Sequence, residues 1–252
     1  MVKVVNADYV SKALQLVLKL NDVCASLRGA CADVLGADFE RECGEAIARR
    51  AEDMPQLVYS IGLVPTLTLY MSKVEDWIIT TLLAKYLIDS IENVAIDPSK
   101  LVEWLIKYSK AEARKRVDER LARRRASVSE EERRKEYEEE RERIYNYMRK
   151  RLCNEFSSSS SAGYATMLSV VIAYLHSINR LDKAVADSVN NIVQRIENEQ
   201  NIDVQTMLDL AKKFSQYLLD LRKSGELVVM HHAITFLLEL KKIAKAILEK
   251  EK

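Results

Sequence analysis

The chain reads as all-α, and three observations carry that expectation. Only 6 glycines and 3 prolines occur in 252 residues, too few breakers for the tight turns an all-β or α/β chain needs. Aromatic residues make up 7% of the chain, and β-branched residues do not cluster at period two, the spacing of a half-buried strand. Apolar residues instead recur every three to four positions over long runs, as on the buried stripe of an amphipathic helix. The architecture expected is a helical bundle interrupted by a long charged helical hairpin.

The elements follow in order. A first helix is expected over about Ala7–Leu35, with Leu14, Val17, Leu18, Cys24 and Leu27 facing the core. Gly36 should end it, and Asp38 should cap a second helix over Phe39–Glu52. Asp53 and Pro55 then read as a turn or short helix that Gly62 closes. From Leu63 the apolar stripe resumes through Leu67, Tyr70, Met71, Trp77 and Ile78 towards Leu87, with Pro65 tolerated near the helix start.

Beyond Asp97-Pro98-Ser99 the texture changes. Leu101, Trp104, Leu105 and Tyr108 still look like a core face, but from Lys110 to Ile144 nearly every large side chain is charged. We read two antiparallel arms, about Lys100–Arg125 and Glu130–Glu155. A capping box at the second arm can be written in either of two registers, Ser127 with Glu130 or Ser129 with Glu132. A single long helix held by Glu131–Lys135 and Glu139–Arg143 pairs is the other arrangement. Either way the segment buries too little for a core and should project.

The serines from Ser157 to Ser161 read as a linker. Helices over Tyr164–Ile178, Leu181–Glu199, Val204–Lys223 (capped by Asp203) and Glu226–Lys252 should complete the bundle. The last is expected to bury Val229, Ile234, Leu237, Leu238, Ile243 and Ile247. Four segments result: an N-terminal helical part over 1–98, a charged hairpin over 99–156, a Ser-rich linker over 157–163 and a C-terminal helical part over 164–252.

Net charge is +1, so composition says nothing about nucleic acid and any basic footprint has to be local. The N-terminus alternates polar and apolar residues, which reads as no signal peptide. The longest apolar run, Trp77–Ile88, is interrupted by Lys85 and falls short of the ~20 residues that span a bilayer. Cys24, Cys31, Cys43 and Cys153 form no CxxC pair and have no histidine at ligand spacing. Cys24 and Cys31, seven apart, share a helix face and read as small core residues, and the setting reads as a reducing cytoplasm. Abundant Lys, Arg and Glu suit a thermophile.

Parts for catalysis are missing. None of HExxH, GxSxG, GxxxxGK[ST] or GxGxxG occurs. His176 lies in an apolar run and reads as a core-edge residue. His231 and His232 are adjacent, so on a helix they point about 100° apart and cannot readily chelate one ion. No catalytic residue, cofactor site or metal site is assigned, and a non-enzymatic binding protein is expected.

What remains is local charge. Lys110–Arg125 holds eight Lys/Arg against three Asp/Glu, whereas Glu130–Arg151 balances eight against eight. The first arm could lie along phosphates, or the two arms could neutralise each other. Two smaller basic sites stand out: Arg49-Arg50 before Pro55, and Lys241, Lys242 and Lys245 on the last helix. Lys241 and Lys245 are one turn apart, and we place them opposite the apolar stripe.

The stretch from Arg49 through Pro55, Gly62-Leu63, Thr66-Leu67 and Tyr70 to Ser72-Lys73 resembles the small helical subunit of the type III-B CRISPR effector, the Cmr complex. That family shows a basic residue, a Pro, an apolar pair, a Gly-Leu step, an apolar helix and a closing Ser-Lys in this order. Ala233–Ala246 is similar to the family's C-terminal helix, with Glu239 standing where the family has Trp. The resemblance covers about a third of the chain, and the charged hairpin and serine run look like an enlargement. It implies a non-catalytic subunit that lines the groove where guide RNA and target RNA pair. Its partners would be the other subunits of the effector complex and further copies of itself, with no membrane partner. Carried over as RNA-facing are Arg49, Arg50, Lys73, Lys241, Lys242 and Lys245. The other reading is a protein-only scaffold or adaptor whose charged hairpin binds a partner.

Overall fold

The computed structural model describes residues 2–35, 39–74, 76–92, 96–123, 129–156 and 163–248. Among them are ten helices and no strand: α1 Val2–Leu35, α2 Phe39–Ile61, α3 Leu63–Lys73, α4 Trp77–Ile91, α5 Ser99–Arg123, α6 Glu130–Glu155, α7 Tyr164–Ser177, α8 Lys183–Glu197, α9 Val204–Ser224 and α10 Glu226–Leu248. The fold is all-α. Gly36, Asp38, Ser127 and the serines from Ser157 to Ser161, to which the sequence pattern gives boundary roles, lie outside the described residues.

Two helices that are apolar on nearly every side sit at the centre. α4 and α7 pack against each other with almost all their side chains buried, down to Thr80, Thr81 and Ser169. Helices without a polar face have to be enclosed. The Ser169 hydroxyl donates to the Thr80 carbonyl across the pair at 2.9 Å. Asp76, whose carboxylate accepts from Ile78 N, starts α4 and breaks the apolar stripe that the sequence runs on from α3.

α1 lies along α10, α2, α4 and α6. Its buried stripe is Ala13, Leu16, Val17, Leu20, Val23, Cys24, Leu27 and Cys31. Leu14 and Leu18, expected inside, are 40% and 44% exposed and stand with Val10 on the outer side. A helix this rich in apolar residues supports two rival stripes, and only its neighbours choose between them.

All four cysteines are fully buried, as expected of Cys24 and Cys31, but they are not free thiols. Cys24 bonds Cys43 on α2, and Cys31 bonds Cys153 on α6. The sequence places Cys24 and Cys31 on one face of α1, but spacing within one helix cannot reveal which other helices carry their partners. The reading of a reducing setting loses its basis, because persistent disulfides belong to oxidising compartments or to the interiors of hyperthermophiles.

The expected break between Glu52 and Pro55 is absent, and α2 runs unbroken to Ile61 with Pro55 inside it. An internal proline costs about 3 kcal/mol by forfeiting one backbone bond and crowding the preceding turn. Here Met54 and Val58 are fully buried on either side of it, at roughly 1.5–3 kcal/mol each. Packing outweighs the local penalty. The break comes at Gly62, whose φ of +93° only glycine adopts readily. Past it, Glu226 at the start of α10 accepts from Val64 N at 3.1 Å and serves as the cap that α3 otherwise lacks.

α5 and α6 form an antiparallel hairpin whose arms neutralise each other. Glu140, 5% exposed, accepts from Arg120 at 2.9 Å and Arg143 at 2.5 Å, with Arg116 at 3.6 Å. Arg133 pairs with Asp118 at 2.6 Å. Ser129 and Glu132 make the capping box in the second of the two registers. The hairpin projects less than its composition suggests. Ile144, Met148, Leu152 and Phe156 join the main core, Cys153 is bonded to α1, and Lys110 and Arg114 reach Glu199 beyond α8 at 3.3 and 2.9 Å.

Burial pushes the Glu140 carboxyl up, but the bonds from Arg143 and Arg120 outweigh it and hold it below the ordinary range. A group so lowered stabilises the fold above its unfolded value and loses that contribution as the pH falls through its folded one. Glu140→Gln should therefore cost about 1–3 kcal/mol at neutral pH. The arginines left behind are half-exposed and can turn to water, which favours the lower end. Urea unfolding at pH 7 and near pH 3 checks this, with the difference between the proteins shrinking at the acid end.

A candidate nucleic-acid interface on the α2–α10 face

α2 and α10 pack antiparallel, and their register is readable at three places. A Cβ on Gly44 would sit 3.0 Å from the Leu248 carbonyl, Glu52 pairs with Lys241 at 3.0 Å, and Glu226 caps α3 beside Gly62. The missing side chain at Gly44 lets the two backbones approach closely there. Gly44→Ala should push the end of α10 outward and destabilise the protein by about 1–3 kcal/mol, visible as a lower thermal midpoint.

Between the helices lies an open groove of about 400 Å³ lined by Glu52, Pro55, Gln56, Tyr59, Ser60, Ile234, Leu238 and Lys241. Unbroken helicity through Pro55 puts Arg49, Glu52, Gln56 and Tyr59 at steps of three, four and three, which is one face of α2. On α10, Ile234, Leu238, Lys241 and Lys245 share a face for the same reason. The sequence pattern sets Lys241 opposite Ile234 and Leu238. In the structure the buried stripe is Val229, Ala233, Phe236, Leu237, Leu240, Ala244 and Leu248, so Ile234 and Leu238 stand beside Lys241 in the groove.

The six basic positions fall into three settings. Lys241, Lys242 and Lys245 lie along the C-terminal half of α10, and the helix register puts Arg49 level with Lys245. Lys241 is engaged by Glu52 and Lys242 by Glu239 at 2.7 Å. The Lys241 bond, with the charges of Lys241 and Lys245, holds the Glu52 carboxyl below the usual range. Arg50, one residue on from Arg49, turns the other way, its guanidinium 5.2 Å from the centre of the Tyr164 ring and its side chain against Gly163. Lys73 is exposed at the far end of α3, about 16 Å of helix beyond Gly62. Of the six, Lys241 lines the groove, Lys245 acts on the same Glu52 carboxylate, and Arg49 and Lys242 belong to the same end of the helix pair without lining it.

Arg50 belongs to an internal arrangement. Its charge acts on Glu155, whose carboxylate accepts from Gly163 N and Ala165 N, both at 3.1 Å. Burial raises the pKa of Glu155, and the backbone donors and Arg50 oppose the rise. The N-terminus of α7 is therefore filled by the protein's own carboxylate. Tyr70 stands edge-on to Tyr164, and burial pushes its hydroxyl up to about 12.

The histidines do not converge. His176 Nε2 meets Glu92 Oε1 at 2.8 Å, His231 is exposed, and His232 lies where α1 meets α10. There its Nδ1 bonds the Tyr9 hydroxyl, and its carbonyl accepts from Tyr174. Among the described residues no three of His, Cys, Asp and Glu are grouped to hold a metal, and no helix is long and apolar enough to cross a membrane.

Tyr59 escapes the sequence pattern. Its ring is 83% exposed at the groove, and the expected break at Pro55 hides its alignment with Arg49. The groove sets an exposed aromatic ring and apolar side chains beside the Glu52–Lys241 pair. No family model, curated protein or solved structure matches the chain.

Proposed function

We propose that this protein is a non-catalytic, RNA-binding assembly subunit, of the kind implied by its resemblance to the small subunit of the type III-B Cmr effector. The observation that carries the reading is the α2–α10 packing, which brings two distant stretches side by side, with Lys241 in the groove and Lys245 close to its Glu52. These are the same two stretches that carry the resemblance. Phosphate binding needs density of positive charge rather than fixed geometry, and lysines on a rigid helix pair supply it. The charged hairpin lies outside the stretches that carry the resemblance, and its Arg116, Arg120 and Arg133 are engaged by carboxylates just as Lys241 and Lys242 are by Glu52 and Glu239. Guide and target RNA and the other subunits of the complex are the proposed partners. A cytoplasmic place is consistent with two disulfides in a hyperthermophile, which the Lys- and Glu-rich composition also suits.

The test is RNA affinity against salt. Binding should weaken steeply as salt rises, with a logarithmic slope of about −0.7 for each single-strand phosphate that the protein neutralises. The triple change Arg49→Ala, Lys241→Ala and Lys245→Ala should flatten that slope by about two. Failure of the unaltered protein to bind RNA at low salt, alone and with partner subunits, would sink the reading. Glu52→Gln should act in the opposite direction. It frees Lys241 of its carboxylate, so affinity should rise a few-fold at low salt.

A further inference from the structure

We infer that the α2–α10 groove takes an unpaired base stacked on Tyr59, so that the protein selects single-stranded over double-stranded RNA. This rests on the proposed RNA-binding role and adds what the cations alone do not specify. Tyr59 is 83% exposed, and a large aromatic ring offered to solvent in a groove is a platform for another flat ring. Pro55, Ile234 and Leu238 line the groove beside it, while Gln56 and Ser60 supply polar edges. The cations lie to one side of Tyr59, with Glu52 among them bound to Lys241. Lys241, Lys245 and Arg49 follow one another away from Tyr59, with Arg49 ten residues, or about 15 Å, along α2. That order suits a strand whose base sits at Tyr59 and whose next few phosphates run along the lysines. Aromatic stacking beside a basic track is how single strands are held without sequence preference. A duplex keeps its bases stacked on one another and offers no free base face to Tyr59 along its length.

The experiment compares the full chain and its variants by fluorescence anisotropy, using a labelled oligouridylate and a blunt RNA duplex of equal length. The single strand should bind more tightly. Tyr59→Ala should weaken it on the order of tenfold without altering the salt slope, since no charge is removed, and Tyr59→Trp should restore it. Because Tyr59 is so exposed, all three proteins should melt at the same temperature. If Tyr59→Ala binds like the unaltered protein while Arg49→Ala and Lys245→Ala bind weakly, stacking is wrong and the RNA-binding role stands. If the unaltered protein binds neither probe, both fail. A change in sedimentation on Tyr59→Ala, with RNA affinity intact, would make the groove a protein-docking surface and overturn the inference.

Discussion

Replacing Cys31 and Cys153 by serine should lower the unfolding free energy by about 4–5 kcal/mol, one of the largest losses available to a double substitution here. The bond closes a loop of 122 residues, and in the chain-entropy account a cross-link of that span removes this much freedom from the unfolded state. Cys24–Cys43 spans 19 residues and should contribute about 3 kcal/mol on the same account. The two are not additive, because each shortens the unfolded excursions left to the other. Their placement matters as much as their sum. Both anchor on α1, so together they tie α2 and the hairpin arm α6 to one long helix. All four sulfurs are fully buried, so a reductant reaches them only when the helices part. Treatment of the native protein with a thiol should leave both bonds intact, and the same thiol in moderate urea should break them. Urea midpoints for the serine variant, measured beside the reduced protein, check the magnitude. A loss below about 1 kcal/mol would mean that the unfolded chain is already held together near these helices.

Much of the fold is legible in the sequence because its signals are local. The antiparallel hairpin, the Ser129–Glu132 capping box and the Asp203 cap all follow from residues close together in the chain. The central place of α4 and α7 agrees with their lack of a polar face, but the pattern runs one apolar stripe from Leu63 to Leu87 and does not single them out. What fails needs information from other helices. Leu14 and Leu18 against Leu16 and Leu20 is a choice between two apolar stripes on α1, decided by what packs there. Pro55 reads as a breaker because its penalty is local, whereas the burial of Met54 and Val58 that overrides it is tertiary. The cysteine partners lie on three helices, beyond any spacing rule. The site is half legible. Arg49, Lys241, Lys242 and Lys245 are visible as charge, but that Lys241 comes to face Glu52 and Tyr59 requires the antiparallel register set by Gly44 and Glu226. Tyr59 stays hidden behind the false break.

That register has an internal support whose removal should be severe. Phe236 is fully buried on α10 and lies flat on Tyr174 of α7, ring centres 3.9 Å apart and planes within 5°. The Tyr174 hydroxyl also donates to the His232 carbonyl one turn earlier on α10, at 3.1 Å. One aromatic residue of the central helix therefore grips α10 by its ring face and by its hydroxyl. Phe236→Ala should cost about 3–5 kcal/mol, since the surrounding helices cannot collapse fully into the space. For a chain of this size each kcal/mol moves the thermal midpoint by about 2–4 °C, so a fall of about 6–20 °C is expected. Phe236→Leu refills most of the volume and should lose less than half as much. Tyr174→Phe keeps the stack, loses only the hydroxyl, and should cost about 1 kcal/mol. This ordering separates packing from hydrogen bonding at one place in the core. It also bears on the groove, whose lysines ride on α10. Below its midpoint, Phe236→Ala should still bind RNA if α10 keeps its register through Gly44 and Glu226. A binding loss larger than the loss of folded protein would show that the Phe236–Tyr174 stack itself positions Lys241 and Lys245.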